Sequence, residues 1–212
     1  PAILEHTRRM VFLEPQWMVV VERDGFHVQT FDGATVKPQV HSIAWDMVTA
    51  EKGEYRHFMQ KEIHEQVRSI TDTIGGRIDF ETGQVTLGDL NLTLELAEKI
   101  EKIFIVACGT AAHAGMVGKV MIESLAGAPV EVDIASEFRY RDPLVNDRTV
   151  ALAISQSGET ADTLAAMEEA RAKGATLWSI VNAIGSQAMR SAHGYITMQS
   201  GPEIGVASTK AF

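Results

Sequence analysis

Residues 150–160 carry the sequence that decides the fold, Val150-Ala151-Leu152-Ala153-Ile154-Ser155-Gln156-Ser157-Gly158-Glu159-Thr160. The first five residues form a continuous apolar run without the polar alternation of a half-exposed strand, which predicts a strand buried on both faces. The remaining residues are mostly small and polar, and a helical pattern follows them. A buried strand that passes through a tight polar loop into a helix is typical of a parallel α/β domain.

Strands and helices alternate on both sides of this stretch. Apolar runs predict further strands at 103–107, 130–134, 177–181 and 195–198. Helical patterns fill the connections, and Gly127 and Gly174 close two of them. This order implies right-handed crossovers and a doubly wound parallel sheet of about five strands, with the ligand site beyond the carboxyl ends of the strands.

The loop after the strand at 150–154 offers hydrogen-bond donors for an anion. Ser155, Ser157 and Thr160 supply hydroxyls and Gln156 supplies an amide. The helix that follows adds unpaired backbone N–H groups and the positive end of its dipole, so a phosphate can bind there without Lys or Arg. We therefore predict a phosphate site in this loop.

A plainer interpretation of the same residues stays open. Thr160 can act as an ordinary helix N-cap, and the serines can simply complete a turn. Glu159 and Asp162 would also repel a phosphate unless their carboxylates point away from it. In favour of a site, the loop one crossover earlier occupies the equivalent position and adds Thr110 as another hydroxyl donor.

Patterns for other ligands are broken in this sequence. Gly109 and Gly115 do not form the G-x-G-x-x-G of a dinucleotide fold, and Gly118-Lys119 lacks the preceding glycine of a P-loop, so we predict no cofactor. His57 and His64 do not form H-E-x-x-H, so we predict no metal site.

The composition is that of a globular protein with 45% hydrophobic and 22% charged residues among 212. A net charge of −9 supplies no basic surface for nucleic acid or anionic lipid, and no apolar run is long enough to cross a bilayer, so we expect neither partner. Cys108 is the single cysteine, which excludes an intrachain disulfide and fits a reducing cytoplasm. We interpret it as a small buried thiol rather than a nucleophile.

The first part of the chain has a different pattern. Short β-type runs lie between turn signals such as Asp24-Gly25, which predicts antiparallel hairpins. Apolar residues from Met59 to Ile74 then recur at helical spacing up to Gly75-Gly76. Residues 61–66 of this helix, which are polar except for Ile63, are interpreted as a solvated or interface face. The polar stretch that follows places the boundary of the second domain near Leu92.

Both ends of the chain look cut. The chain opens with Pro1 rather than Met and stops at Ala211-Phe212, just after what resembles the start of a helix. Lys210 is therefore interpreted as a lysine of a first helical turn. We expect a piece of a longer protein.

Several motifs, in order along the chain, resemble those of the glutamine–fructose-6-phosphate aminotransferases, also called glucosamine-6-phosphate synthases. The motifs are Cys108-Gly109-Thr110, 135–141, 155–162 and 203–212, with 55–63 as an interdomain segment. The resemblance implies three regions. Residues 1–48 are the C-terminal part of an α+β glutaminase domain of the class II amidotransferases, 49–91 a linker with one helix, and 92–212 a first sugar isomerase (SIS) domain truncated at its C-terminal end.

The resemblance also implies a reaction and a binding site. In this family, ammonia from glutamine is passed to fructose 6-phosphate, which becomes glucosamine 6-phosphate, a precursor of UDP-N-acetylglucosamine. By the same resemblance Ser155, Gln156, Ser157 and Thr160 hold the phosphate, and the sugar contacts are Thr110, Val206 through its backbone, and Ser208. Ala111 departs from the pattern, because relatives often carry a serine there.

The resemblance assigns no catalytic residue to these 212 residues. The family's N-terminal cysteine nucleophile and its isomerising Glu, His and Schiff-base Lys have no counterpart here, so this piece alone is expected to bind sugar phosphate without turning it over. The resemblance further implies a cytoplasmic homodimer that pairs through SIS domains.

Two other functions remain as alternatives. A SIS-domain regulator that senses sugar phosphates would carry DNA-reading helices before the SIS domain, whereas the preceding segment here is β-rich and the charge is negative. In a free-standing sugar-phosphate ketol isomerase, the β-rich first part would have no purpose.

Overall fold

A computed structural model describes residues 6–42 and 51–212, and the chain divides between Glu51 and Lys52 into two compact units. Most of the stretch predicted as a linker, 49–91, falls in the second unit, and its helix is bonded to the end of the chain, as with Lys210 and Glu65. The division of the chain into three regions, with a domain boundary near Leu92, stays a prediction. The assignment of the first unit to a glutaminase domain stays a prediction.

The first unit consists of short antiparallel strands. They are β1 (Arg9–Val11), β2 (Trp17–Glu22), β3 (Gly25–Thr30), β4 (Thr35–Val36) and β5 (Val40–Ser42). β1 pairs with β5, and β2, β3 and β4 form a sheet in that order. Glu22 pairs with Gly25 across the turn Arg23-Asp24, so the hairpin predicted at Asp24-Gly25 is confirmed.

The second unit contains a parallel sheet of five strands. They are β6 (Lys102–Ala107), β7 (Val130–Ile134), β8 (Thr149–Ser155), β9 (Thr176–Val181) and β10 (Gly194–Thr197). The order across the sheet is β10-β9-β8-β6-β7. The chain therefore reverses its direction of travel between β6 and β8, and the loops after these two strands flank a topological switch point.

The second unit also contains helices. They are α1 (Phe58–Ile74), α2 (Leu94–Lys99), α3 (Thr110–Ala126), α4 (Ala135–Phe138), α5 (Ala161–Ala172) and α6 (Gln187–Ser191), with a short 3₁₀ helix at Gly88–Leu90. One apolar cluster joins the sheet to α4, α5 and α6, and a second joins it to α3. None of the helices in the described parts of the chain has both the length and the apolar character needed to cross a bilayer.

Burial explains why the central strands are continuous apolar runs. Every residue of β8 is buried, because cores on both faces of the sheet leave no polar side. The strands predicted from these runs are confirmed to within one residue at each end, and helices α3 and α5 are followed by Gly127 and Gly174, as predicted. The doubly wound parallel α/β fold is therefore confirmed.

The stretch 61–66 of α1, interpreted as a solvated or interface face, contacts the end of the chain. Glu62 is 2% exposed, whereas the apolar residue Val67 of the same helix is 79% exposed. One expectation is wrong: residues 203–212 form no helix, and Lys210 is buried with its ammonium 2.7 Å from Glu65 Oε2. The physical reason is that the end of the chain packs against the polar face of α1.

Candidate functional site: a phosphate-binding loop

The loop 155–160 connects the end of strand β8 to the start of helix α5. Ile154 of β8 pairs with Ala107 of β6, so this loop and the loop that leads to Thr110 leave adjacent strands at the same edge of the sheet. Such a switch point is where open parallel sheets bind ligands.

Hydrogen bonds within the loop fix its shape. Ser155 Oγ accepts a bond from Gly158 N at 3.0 Å and lies 3.4 Å from Thr160 Oγ1. Ser157 Oγ accepts from Glu159 N at 3.2 Å, which leaves its hydroxyl hydrogen available to a ligand. Ser155 is buried, whereas Ser157 and Thr160 are partly exposed. The structure thus brings the predicted hydroxyls together and keeps two of them accessible.

Backbone donors in this loop are unused. Within residues 6–42 and 51–212, the N–H groups of Ser157, Thr160 and Ala161 donate to no acceptor. Thr160 occupies the N-cap position, as the plainer interpretation expects, but its side chain makes no cap hydrogen bond to α5. The helix start is therefore left open to an anion, which can satisfy these N–H groups.

The two acidic neighbours are bonded to other partners. Glu159 Oε1 accepts from Gln187 N at 2.8 Å, and Asp162 Oδ1 lies 2.9 Å from Arg139 Nη1. Arg139 thus pairs with a partly exposed acid. Because each carboxylate has a nearby donor, the electrostatic objection to an anion in this loop is weakened.

The residues that follow strand β9 support the loop through hydrogen bonds. Gln156 contributes its backbone carbonyl, which accepts from Asn182 N and Ala183 N, both at 3.1 Å. The side chain of Asn182 donates to Gly201 O at 2.7 Å and accepts from Ser200 N at 3.1 Å. Sequence reasoning missed Asn182, although its position directly after β9 could have marked it by the rule that located the loop after β8.

The loop after β6 supplies Thr110 as the first residue of α3. Gly109 before it has φ +60°, a conformation that favours glycine. Ala111 is buried in the cluster on the α3 face of the sheet, and its methyl side chain has no group that could hydrogen-bond to a ligand. Cys108 is partly buried and packs against the opposite cluster, which fits a structural thiol.

The other two predicted sugar contacts lie on a separate segment. Val206 is fully exposed, and Ser208 donates its hydroxyl hydrogen to Glu203 Oε2 at 2.6 Å. Within the described residues, no hydrogen bond joins Ser208 to loop 155–160. Their contact with a sugar remains a prediction.

Charged groups with displaced pKa values lie outside the loop. A hydrogen bond and the charge of Lys173 lower the pKa of Asp142, and the same hydrogen bond raises the pKa of Lys173. Hydrogen bonds from Thr82 and from the backbone lower the pKa of Asp79. None of these three groups belongs to loop 155–160, where the candidate donors are hydroxyl and N–H groups.

A metal site and an apolar cleft are the other candidate features. Among the described residues, no group of three His, Cys, Asp or Glu side chains is arranged to hold a metal ion. An open apolar cleft of about 470 Å³ lies in the first unit, between Met10, Leu13 and Phe26. Its walls carry few polar groups, so it does not resemble a sugar-phosphate site.

Comparison with known proteins shows the family of the second unit. The family described as SIS domain matches residues 95–212. The chain is 50% and 51% identical, over 212 residues, to the isomerizing glutamine–fructose-6-phosphate aminotransferases of Symbiobacterium thermophilum and Caldanaerobacter subterraneus. These matches cover 100% of the chain and 35% of each relative, so the chain spans about a third of their length.

Solved structures give the same result. The C-terminal domain of glucosamine-fructose-6-phosphate aminotransferase from Francisella tularensis is 42% identical with a TM-score of 0.69, over 76% of this chain and 45% of that one. Tagatose-6-phosphate ketose/aldose isomerase from Escherichia coli shares the fold at 16% identity and a TM-score of 0.60, over 74% of this chain and 44% of that one. Sequence and fold together show that this chain belongs to the SIS domain family.

Proposed function

We propose that this chain binds fructose 6-phosphate, with the phosphate in loop 155–160, as part of an isomerizing glutamine–fructose-6-phosphate aminotransferase. The observation that carries the proposal is the set of unused N–H groups and accessible hydroxyls at the start of α5. They suit a phosphate dianion, because the helix dipole adds positive potential there. The relatives carry this activity in their names and align with the whole chain.

The proposal assigns no chemical step to these residues. The chain supplies Ser155, Gln156, Ser157 and Thr160 for the phosphate, and Thr110, Val206 and Ser208 for the sugar. Release of ammonia and isomerisation belong to residues outside these 212, so the isolated chain binds the sugar phosphate or the glucosamine 6-phosphate product without converting either. Residues 1–48 form the end of a glutaminase domain, which their antiparallel hairpins and their alignment with the relatives support.

The proposed assembly is a cytoplasmic homodimer paired through the SIS unit. Its support is the exposed apolar face of α3, since a row of large apolar side chains on a helix is a common dimer contact. These side chains are Met116, Val117, Val120, Met121 and Leu125.

Calorimetry with fructose 6-phosphate tests the binding proposal. We expect a dissociation constant in the micromolar to millimolar range for the isolated chain, and Ser157→Ala should weaken binding by about ten- to a hundredfold, the value of a hydrogen bond to a charged group. Ser124→Ala makes the same change on the exposed surface of α3 and should bind as wild type does. Equal heats for wild type and Ser157→Ala would rule out the loop as the phosphate site.

A further inference from the structure

The segment 203–210 is held by helix α1 and not by the sheet. Glu62 Oε1 of α1 accepts hydrogen bonds from Ile204 N at 2.6 Å and Gly205 N at 3.0 Å. One turn further along α1, Gln66 Nε2 donates to Thr209 O at 2.9 Å. Both ends of the segment are therefore bonded to one helix.

The segment also folds around an acid of its own. Glu203 Oε1 accepts from Thr209 N at 2.7 Å and Lys210 N at 2.8 Å, while its other oxygen accepts from the hydroxyl of Ser208. Lys210 closes the arrangement through its ion pair with Glu65. The segment is thus a compact turn with polar bonds on its inner side, and Val206 lies fully exposed at its tip.

Glu62 holds this turn at an energetic cost. Its residue surface is 2% exposed, and its second oxygen, Oε2, is buried without a hydrogen-bond partner among the described residues. A buried carboxylate with an unsatisfied oxygen lowers stability compared with an apolar residue of similar size. Its presence is explained more readily by the conformation it imposes on Ile204 and Gly205 than by a contribution to folding.

Gly205 is matched to this carboxylate. A Cβ atom at Gly205 would lie 2.5 Å from Glu62 Oε2, closer than carbon and oxygen can approach. Any side chain at this position would push the carboxylate off the two N–H groups that it holds. The absence of a side chain at Gly205 therefore allows Glu62 to bind the two N–H groups.

We infer that Glu62 is a positioning residue for the sugar half of the site, because it fixes the turn that presents the backbone of Val206 and the hydroxyl oxygen of Ser208, which can still accept a hydrogen bond. The inference rests on the proposed function, in which these two residues contact the sugar. It assigns to helix α1, outside the SIS sheet and outside the phosphate loop, a part in selecting the ligand. The phosphate loop itself has no hydrogen bond to Glu62, so the two halves of the site can be weakened separately.

The test compares two ligands by NMR titration of the 212-residue chain, following the backbone amides of the loop 155–160. In Glu62→Ala, we expect binding of fructose 6-phosphate to weaken by about tenfold, the value of a lost charge-assisted hydrogen bond, while inorganic phosphate binds as it does to wild type. Glu62→Gln keeps an acceptor for both N–H groups and should recover most of the lost affinity. Asp72→Ala removes an exposed acid from the same helix and should leave both ligands unaffected.

Gly205→Ala provides a second route that keeps Glu62 in place. Its methyl group should displace the carboxylate and weaken the binding of fructose 6-phosphate but not that of inorganic phosphate. If Glu62→Ala does not fold, this variant alone provides the test. The inference is overturned if both variants bind fructose 6-phosphate as wild type does, or if they lose both ligands equally. If wild type itself binds neither ligand, the proposed function fails and the inference fails with it.

Discussion

Gly158 packs so closely against Ser186 that there is no room for a side chain. Its φ is +65°, and a Cβ atom there would lie 2.1 Å from Ser186 Oγ and 2.5 Å from Ser186 Cβ. Ser186 is the N-cap residue of α6 and its hydroxyl is buried without a partner among the described residues. The backbone of loop 155–160 is therefore in direct contact with the start of helix α6.

Gly158→Ala should combine backbone strain with this clash. We expect it to lower the free energy of unfolding by about 2–4 kcal/mol, of which about 1–2 kcal/mol comes from the left-handed backbone and the rest from overpacking. Thermal and urea unfolding measure the change. Gly174→Ala is the matched control, since Gly174 has φ +88° but its Cβ would meet nothing closer than 3.7 Å.

The contact with Ser186 can be removed in a second variant. Ser186→Gly added to Gly158→Ala should restore the part of the stability lost to the clash and leave the backbone strain. If Gly158→Ala is no less stable than Gly174→Ala, the close approach of the two loops is wrong.

Among single residues, local order along the chain predicted positions. The hydroxyls of Ser155, Ser157 and Thr160 lie together between β8 and α5, as expected where a strand, a polar loop and a helix occur in succession, and their binding of phosphate stays a prediction. The directions of Glu159 and Asp162 were not predictable, because their partners Gln187 and Arg139 are remote in sequence and only the folded chain brings them near.

At the scale of elements, helix α3 packs on the sheet through one of its two glycines. A Cβ atom at Gly115 would lie 2.8 Å from Ile105 Cγ2 of β6, whereas at Gly118 the nearest atom would be 3.9 Å away. Gly115 is buried and Gly118 is partly exposed. The helix can approach β6 closely at only one of these two positions.

The two glycines should respond oppositely to alanine. Gly115→Ala should reduce stability by about 1–3 kcal/mol through overpacking, whereas Gly118→Ala should raise it by up to about 1 kcal/mol, the difference in helix propensity. Denaturant unfolding of both variants measures this. A stabilising Gly115→Ala would mean that α3 lies further from β6 than described.

Among elements, the sheet was predictable and the orientation of α1 was not. Continuous apolar runs indicate strands covered on both faces, and no other arrangement buries β8 so completely. The periodicity of apolar residues also predicted helix α1, but it did not show which face of the helix packs against the segment 203–210. Glu62 turns inward because the polar turn at 203–210 packs there, while Ile63 and Val67 remain exposed.

At the scale of the whole molecule, the exposed face of α3 bears on assembly. Val120 is 61% exposed and Leu125 is 84% exposed on the outer face of this helix, where polar side chains are usual. Large exposed apolar rows mark interaction surfaces in soluble proteins. A second copy of the chain is the occupant proposed above.

Light scattering coupled to size exclusion should find wild type as a dimer. Val120→Lys should shift it to monomer, since a lysine ammonium buried in an apolar contact loses its hydration. Ala172→Lys adds the same charge on the exposed end of α5 and should remain dimeric. A monomeric wild type at high micromolar concentration would contradict the proposed homodimer.

A crystal structure with fructose 6-phosphate tests the central claim most directly. The phosphate oxygens are expected within about 2.6–3.2 Å of Ser157 Oγ, Thr160 Oγ1 and the backbone N of Ala161, at the start of α5. A structure in which this loop is empty and the phosphate lies elsewhere on the chain would contradict the claim.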